Sequence, residues 1–177
     1  GICHSEMFPL LDRSGPNPVE LFQIWLNLPA ADKMAPPHFS IFWHERIPRL
    51  VSGEAGRVTE VMIIAGEVGG LRALAPPPRS YAARAEADLA ILTIRMDPGA
   101  RFTLPAAAAG TQRTAYFFRG SEITIGGEAV SAYHAAELRG DVDAALANHG
   151  AGEAELLILQ GRPIAEPVAS HGPFVMN

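Results

Sequence analysis

The sequence predicts an all-β chain built as a barrel or sandwich, and three observations carry that expectation. Runs in which every second residue is apolar recur along the chain, each bounded by Gly, Pro or charged residues. The 17 glycines and 15 prolines exceed the ~12% usual for that pair. Such punctuation favours many short elements joined by turns over long helices. No apolar run approaches the ~18 residues that a membrane-spanning helix needs.

In chain order, the first such run is Leu21 to Leu28. Phe22, Ile24, Leu26 and Leu28 fall on one face at period 2, with Gln23, Trp25 and Asn27 on the other. This predicts a half-buried strand with a polar-aromatic second face. Strands are likewise predicted at Val58–Ala65, Leu89–Met96, Ala115–Phe118, Glu122–Ile125 and Leu156–Gln160. Gly126-Gly127 stands between two of these runs and can take the positive φ of a tight hairpin. Asp97-Pro98-Gly99 reads as a turn, with Pro fixing φ and Gly accepting the left-handed position. Pro76-Pro77-Pro78 reads as an extended connector. Asp32 to Arg46 is the least β-like part of the first half, and Asp141–Leu146 is predicted to form one helical turn.

Composition narrows the function classes. Fourteen Lys+Arg against 19 Asp+Glu leave a net charge of −5. The arginines are scattered, which argues against a phosphate-gripping surface and against direct nucleic-acid binding. One cysteine, Cys3, excludes an internal disulfide framework and a Cys-rich zinc module, and fits a reducing, cytoplasmic compartment. The chain begins with Gly1, and no basic, apolar leader follows. That start, with an apolar end at His171–Asn177, predicts a chain entered mid-domain.

The residues singled out for chemistry are His4 and Glu6. In a strand, positions i and i+2 project from one face, so an imidazole and a carboxylate would point together into a barrel interior while Ser5 points away. Such a pair suits Fe(II), Mn, Ni, Co or Cu better than the thiolate-rich sites of structural zinc. His-x-Glu is also a common tripeptide that is usually a surface pair. Trp43-His44-Glu45 is read as exposed linker, His38 as part of a connector, and His171 as a turn residue. Met7, Phe8 and Trp25 either line a substrate cavity or belong to the core. Gln23 and Asn27 either support the ligands or hydrogen-bond at the core edge. No Ser/His/Asp order, phosphate loop or dinucleotide fingerprint is present.

The stretches Gly1-Ile-Cys-His4-Ser-Glu6-Met7 and Gln23-Ile-Trp25-Leu-Asn27-Leu28-Pro29-Ala-Ala-Asp32-Lys33-Met34 resemble the pirin family. So do Ile47-Pro48, Gly66-Glu67 with Gly69, Asp97-Pro98-Gly99, Gly161-Arg-Pro-Ile-Ala-Glu-Pro-Val and Gly172-Pro-Phe-Val-Met-Asn177. The resemblance runs from the first residue to the last with the motifs in order. It implies a bicupin of double-stranded β-helix barrels, here the end of a first cupin over residues 1–45 and a second cupin over 46–177. It further implies that His4 and Glu6 are half of a three-His, one-Glu iron site whose His-x-His lies upstream. The second barrel is expected to be metal-free. The cupin pattern after Gly99 points to Pro105 and Ala107, which cannot ligate, and His134, Glu137 and His149 have no His-x-His to join.

The resemblance implies two alternatives for the intact protein. One is a quercetin 2,3-dioxygenase-like oxygenase using Fe(II), or Mn, Ni, Co, Cu or Zn, with Glu6 ligating and accepting a proton from a flavonol-like substrate. The other is a redox-sensitive regulator that binds transcription factors or metabolic enzymes. In both cases the expectation is a monomer, away from membranes. For the chain alone the expectation is no useful metal affinity, since two ligands cannot fix an octahedral site.

Overall fold

The computed structural model describes residues 5–172 and 174–176. All its strand pairings are antiparallel. β1 (Arg49–Glu54), β2 (Arg57–Ala65), β5 (Ala90–Met96), β7 (Gln112–Arg119), β10 (His134–Leu138) and β12 (Ala154–Gly161) form a six-stranded sheet in the order β1-β2-β5-β12-β7-β10. Facing it is a four-stranded sheet ordered β6-β11-β8-β9, made of β6 (Arg101–Leu104), β8 (Glu122–Ile125), β9 (Glu128–Ser131) and β11 (Ala144–Asn148). Two short hairpins complete the set. One joins β3 (Glu67–Val68) to β4 (Leu71–Arg72), and the other joins β13 (Ala169–His171) to β14 (Phe174–Met176). Among the described residues no helix is long and apolar enough to cross a membrane.

Alternation in the sequence becomes the inner face of the sandwich. Val61 and Ile63 of β2, Leu92, Ile94 and Met96 of β5, Phe117 of β7 and Leu156 and Ile158 of β12 are at most 1% exposed. They meet Leu104, Ile123, Ile125 and Leu146 of the smaller sheet in one core. The strands expected at Val58–Ala65, Leu89–Met96, Ala115–Phe118, Glu122–Ile125 and Leu156–Gln160 all form, each within a residue or a few of its expected ends. Gly126 and Gly127 close the β8–β9 hairpin with φ of 61° and 90°, and Gly99 turns at φ 72°. The Pro76-Pro77-Pro78 connector carries no strand.

Several expectations are corrected. Leu21–Leu28 is extended but unpaired, because none of the described residues offers it a ladder; alternation without a partner strand leaves backbone groups unbonded to any sheet. Ser5 and Glu6 are likewise outside any strand, while Cys3 and His4 lie outside the described residues. Asp141–Leu146 does not form a helical turn. It passes through a turn and enters β11 at Ala144, where Ala144, Leu146 and Asn148 alternate inward. His171 closes β13 instead of sitting in the turn itself. Trp43, His44 and Glu45 are exposed as expected, His44 and Glu45 within a short 3-10 turn, His44–Arg46.

The chain exposes 11,723 Å², well above the ~8,300 Å² of a compact unit of its mass. Residues 5–48 contribute to that excess: they lie outside the sandwich, carry no strand, and leave Met7, Leu11 and Met34 at least 87% exposed.

Candidate functional site

Glu6 is exposed on the amino-terminal segment, outside any strand, and is followed by exposed Met7 and Phe8. A carboxylate is a suitable donor for a hard or borderline divalent metal, but one donor makes no site. Among the described residues no group of three or more His, Cys, Asp or Glu could hold a metal ion. The described residues therefore do not by themselves fit the implied metal, and His4, the ligand expected beside Glu6, lies outside them.

Further along, the segment crosses the outer face of the large sheet. Glu20 pairs with Arg119 at 3.0 Å, and Phe22 meets Phe118 edge-to-face at 4.8 Å between ring centroids. Beneath it Leu157, which points away from the core, is only 4% exposed. Trp25 stands 68% exposed between two shallow recesses. One, of about 320 Å³, is bounded by Tyr81, Gln112, Thr114 and Gln160. The other, of about 520 Å³, lies against Tyr116, Phe118 and Leu157. Trp25 therefore lines surface recesses and belongs to no core. Gln23 also lines the larger recess and Asn27 the smaller; Asn27 receives the Lys33 Nζ hydrogen bond.

Where the segment leaves the sheet, Asp32 anchors it. Its carboxylate is 5% exposed and accepts from Arg84 at 2.5 Å and Arg79 at 3.2 Å. The hydrogen bond from Arg84 is the main reason its pKa lies below the ordinary aspartate value. Ala30 N adds a bond to Glu166 Oε2 at 2.7 Å, tying this corner to the carboxy-terminal stretch.

Inside the sandwich, the positions expected to replace metal ligands lie on one loop at the barrel mouth. Pro105 O accepts from Arg113, Ala106 N donates to Asp143 at 2.7 Å, and Ala107 N donates to Gly140 O at 2.7 Å. Ala108 N and Thr111 Oγ1 both donate to Asp88, at 2.8 and 2.6 Å. His134, Glu137 and His149 are exposed and far from that mouth in role. His134 Nδ1 bonds its own turn at Ala132 O, and His149 Nε2 bonds Thr124 Oγ1 at 3.0 Å.

Sequence reasoning missed Arg113, Gln160 and Asn148. Arg113 and Gln160 face each other across β7 and β12 at that mouth, and Asn148 is buried at the opposite end. The available signal was phase. Arg113 sits at even spacing with Ala115 and Phe117, and Asn148 with Ala144 and Leu146, so a polar residue in step with an inner face marks a buried polar group.

Comparison with known proteins agrees with this architecture. Residues 91–177 match the Pirin C-terminal cupin domain. A Pseudomonas aeruginosa protein named "Putative quercetin 2,3-dioxygenase" is 32% identical over 177 residues, covering all of this chain and 57% of that protein. Human "Pirin" is 29% identical over 183 residues, covering all of this chain and 56% of that protein. The chain thus spans little more than half the length of these relatives. A crystal structure of quercetin 2,3-dioxygenase from Acinetobacter baumannii superposes with a TM-score of 0.70 at 24% identity, over 86% of this chain and 49% of that one, which shows the shared cupin fold. With its sequence motifs, its all-β sandwich and its C-terminal cupin domain in agreement, the chain belongs to the pirin family.

Proposed function

We propose that the intact protein is a pirin-type oxygenase of the quercetin 2,3-dioxygenase kind, using a mononuclear metal, with iron first among the candidates. The observation that carries this reading is the likeness of this whole chain to 57% of the Pseudomonas aeruginosa protein, at 32% identity. Residues 1–45 would then complete a preceding metal-bearing barrel, and residues 46–177 would form the second cupin. His4 and Glu6 are the residues of this chain assigned to the metal, and the metal would activate oxygen and substrate there. The exposed Glu6 carboxylate also serves as an acceptor for a proton from a flavonol-like hydroxyl.

The test is oxygen consumption by the full-length, iron-loaded protein with quercetin in air, beside Glu6→Ala. The reading expects metal-dependent turnover that falls at least ~10²-fold in the variant, the scale of a lost proton acceptor. A wild-type protein that consumes no oxygen above the metal-free control would overturn it. Binding of a protein partner that differs between ferrous and ferric forms would then put the regulatory role in its place.

A further inference from the structure

The sandwich has two different ends. At one, β5 finishes on Met96 beside the Asp97-Pro98-Gly99 turn. At the other, Ala90, Gln160 and Arg113 stand in register on β5, β12 and β7. Arg113 is 3% exposed although it is an arginine. One edge of its guanidinium is held firmly: Nε and Nη2 donate to Gln160 Oε1 at 3.0 and 2.8 Å, and Nη2 donates to Pro105 O at 2.7 Å. Gln160 is itself fixed by donating from Nε2 to Asp88 O at 3.0 Å. The remaining nitrogen, Nη1, is covered and has no hydrogen-bond partner among the described residues.

Among the described residues Arg113 also has no counter-charge in contact. Asp88 and Asp143 act on it only through longer-range attraction, and burial outweighs them in lowering its pKa. Both carboxylates are already engaged in clamping the 105–111 loop. Glu67, the third acid nearby, pairs with Arg72 at 2.8 Å. A buried guanidinium with one nitrogen unbonded and no carboxylate in contact carries a desolvation cost that an incoming anion would offset.

Beside this group is a recess of about 220 Å³ between the Glu67–Gly70 and Leu104–Ala108 stretches, with Arg113 and Gln160 in its wall. Its volume admits a carboxylate of a few carbon atoms. We propose that this recess binds a small monocarboxylate anion, seated against the immobilised Arg113 guanidinium at the mouth of the second barrel. Arg113 supplies a fixed positive charge, and its Nη1 is the donor left over for a carboxylate oxygen. Asp88 and Glu67 in the same wall disfavour a second negative charge, which selects a monoanion over a dianion such as phosphate. The recess is lined by neither His4 nor Glu6 among its described residues, and the proposal does not depend on the oxygenase reading.

The test is a titration of the full-length protein with acetate, alongside phosphate and methylammonium. It is followed by calorimetry and by the NMR signals of Arg113 Nε–H and of the Gly69 and Gly70 amides. Acetate is expected to move those three signals together. Its binding should weaken at least tenfold in Arg113→Gln, strengthen about threefold in Glu67→Gln, and fall in Ala107→Leu, which narrows the recess. Phosphate and methylammonium should leave the signals in place. If Arg113→Gln does not fold, the opposite responses of Glu67→Gln and Ala107→Leu decide. Unmoved signals, acetate affinity unchanged in the variants, or stronger binding of methylammonium would each overturn the proposal.

Discussion

Asn148 offers the sharpest stability test in the fold. It is 1% exposed, and its side-chain amide joins the 97–99 turn to the turn that leads into β12. Nδ2 donates to Met96 O and Asp97 O at 3.0 Å each and to Gly152 O at 2.9 Å, while Oδ1 accepts from Gly150 N at 2.9 Å. Two amide protons serve three carbonyls, so three to four hydrogen bonds are at stake. At ~1 kcal/mol net each, with a further cost for buried carbonyls left unpaired, Asn148→Ala should lose about 3–5 kcal/mol. That is a large part of the ~5–15 kcal/mol typical of a whole domain. Asn148→Asp, which sets a carboxylate oxygen against three carbonyls, should lose at least as much. The assay is urea unfolding followed by far-UV circular dichroism, because both tryptophans, Trp25 and Trp43, lie outside the sandwich. The loss should appear as a fall in midpoint at unchanged slope. A loss below ~1 kcal/mol for Asn148→Ala would refute the view that this amide joins the two turns.

Two further outcomes are expected. Asp32 has a lowered pKa in the folded chain, chiefly through its bond from Arg84; its contribution is therefore complete above the ordinary aspartate value of 3.8 and is lost as pH falls below that value through the folded one. Asp32→Asn should accordingly cost a constant amount above pH ~5 and progressively less below pH ~4, which midpoints measured across that range will show; a gap that widens on acidification would contradict it. Gly66 has φ +87°, and a Cβ there would stand 2.4 Å from Leu89 O and 2.9 Å from Ala90 Cα. Gly66→Ala should therefore cost over ~3 kcal/mol, whereas Gly127→Ala, with open space around it, should cost only the ~1–2 kcal/mol of a left-handed backbone.

The central strands were legible because their side chains obey a strict inside–outside rule. Val61, Ile63, Leu92, Ile94 and Phe117 are all large, apolar and in phase. β1 and β11 were missed for opposite reasons. β1 lies at a sheet edge, with Val51 exposed, so it has little buried face to show. β11 alternates faithfully, but through Ala144 and Asn148, small or polar residues that carry weak strand signals. The Leu21–Leu28 run erred in the other direction. Periodicity tells which face a segment can bury, and this one does bury part of its face against Phe118, yet it reveals nothing about whether a neighbour is there to complete the ladder. Of the candidate site, His4 and Glu6 were singled out through the family resemblance, and His4 lies outside the described residues. The Arg113–Gln160 pair needs β7 and β12 brought side by side from 47 positions apart, which no local pattern encodes.

The placement of β12 between β5 and β7 sets a timetable for the newborn chain. Its two neighbours leave the ribosome first, and β5 must wait for the residues separating Met96 from Ala154, some ~3–12 s at ordinary elongation rates. Throughout that interval Leu92 and Ile94, and Phe117 once it is made, have no central strand to close over them. A translation product halted short of Ala154 would keep two sticky borders bare, which makes this stretch the natural place for a chaperone to engage.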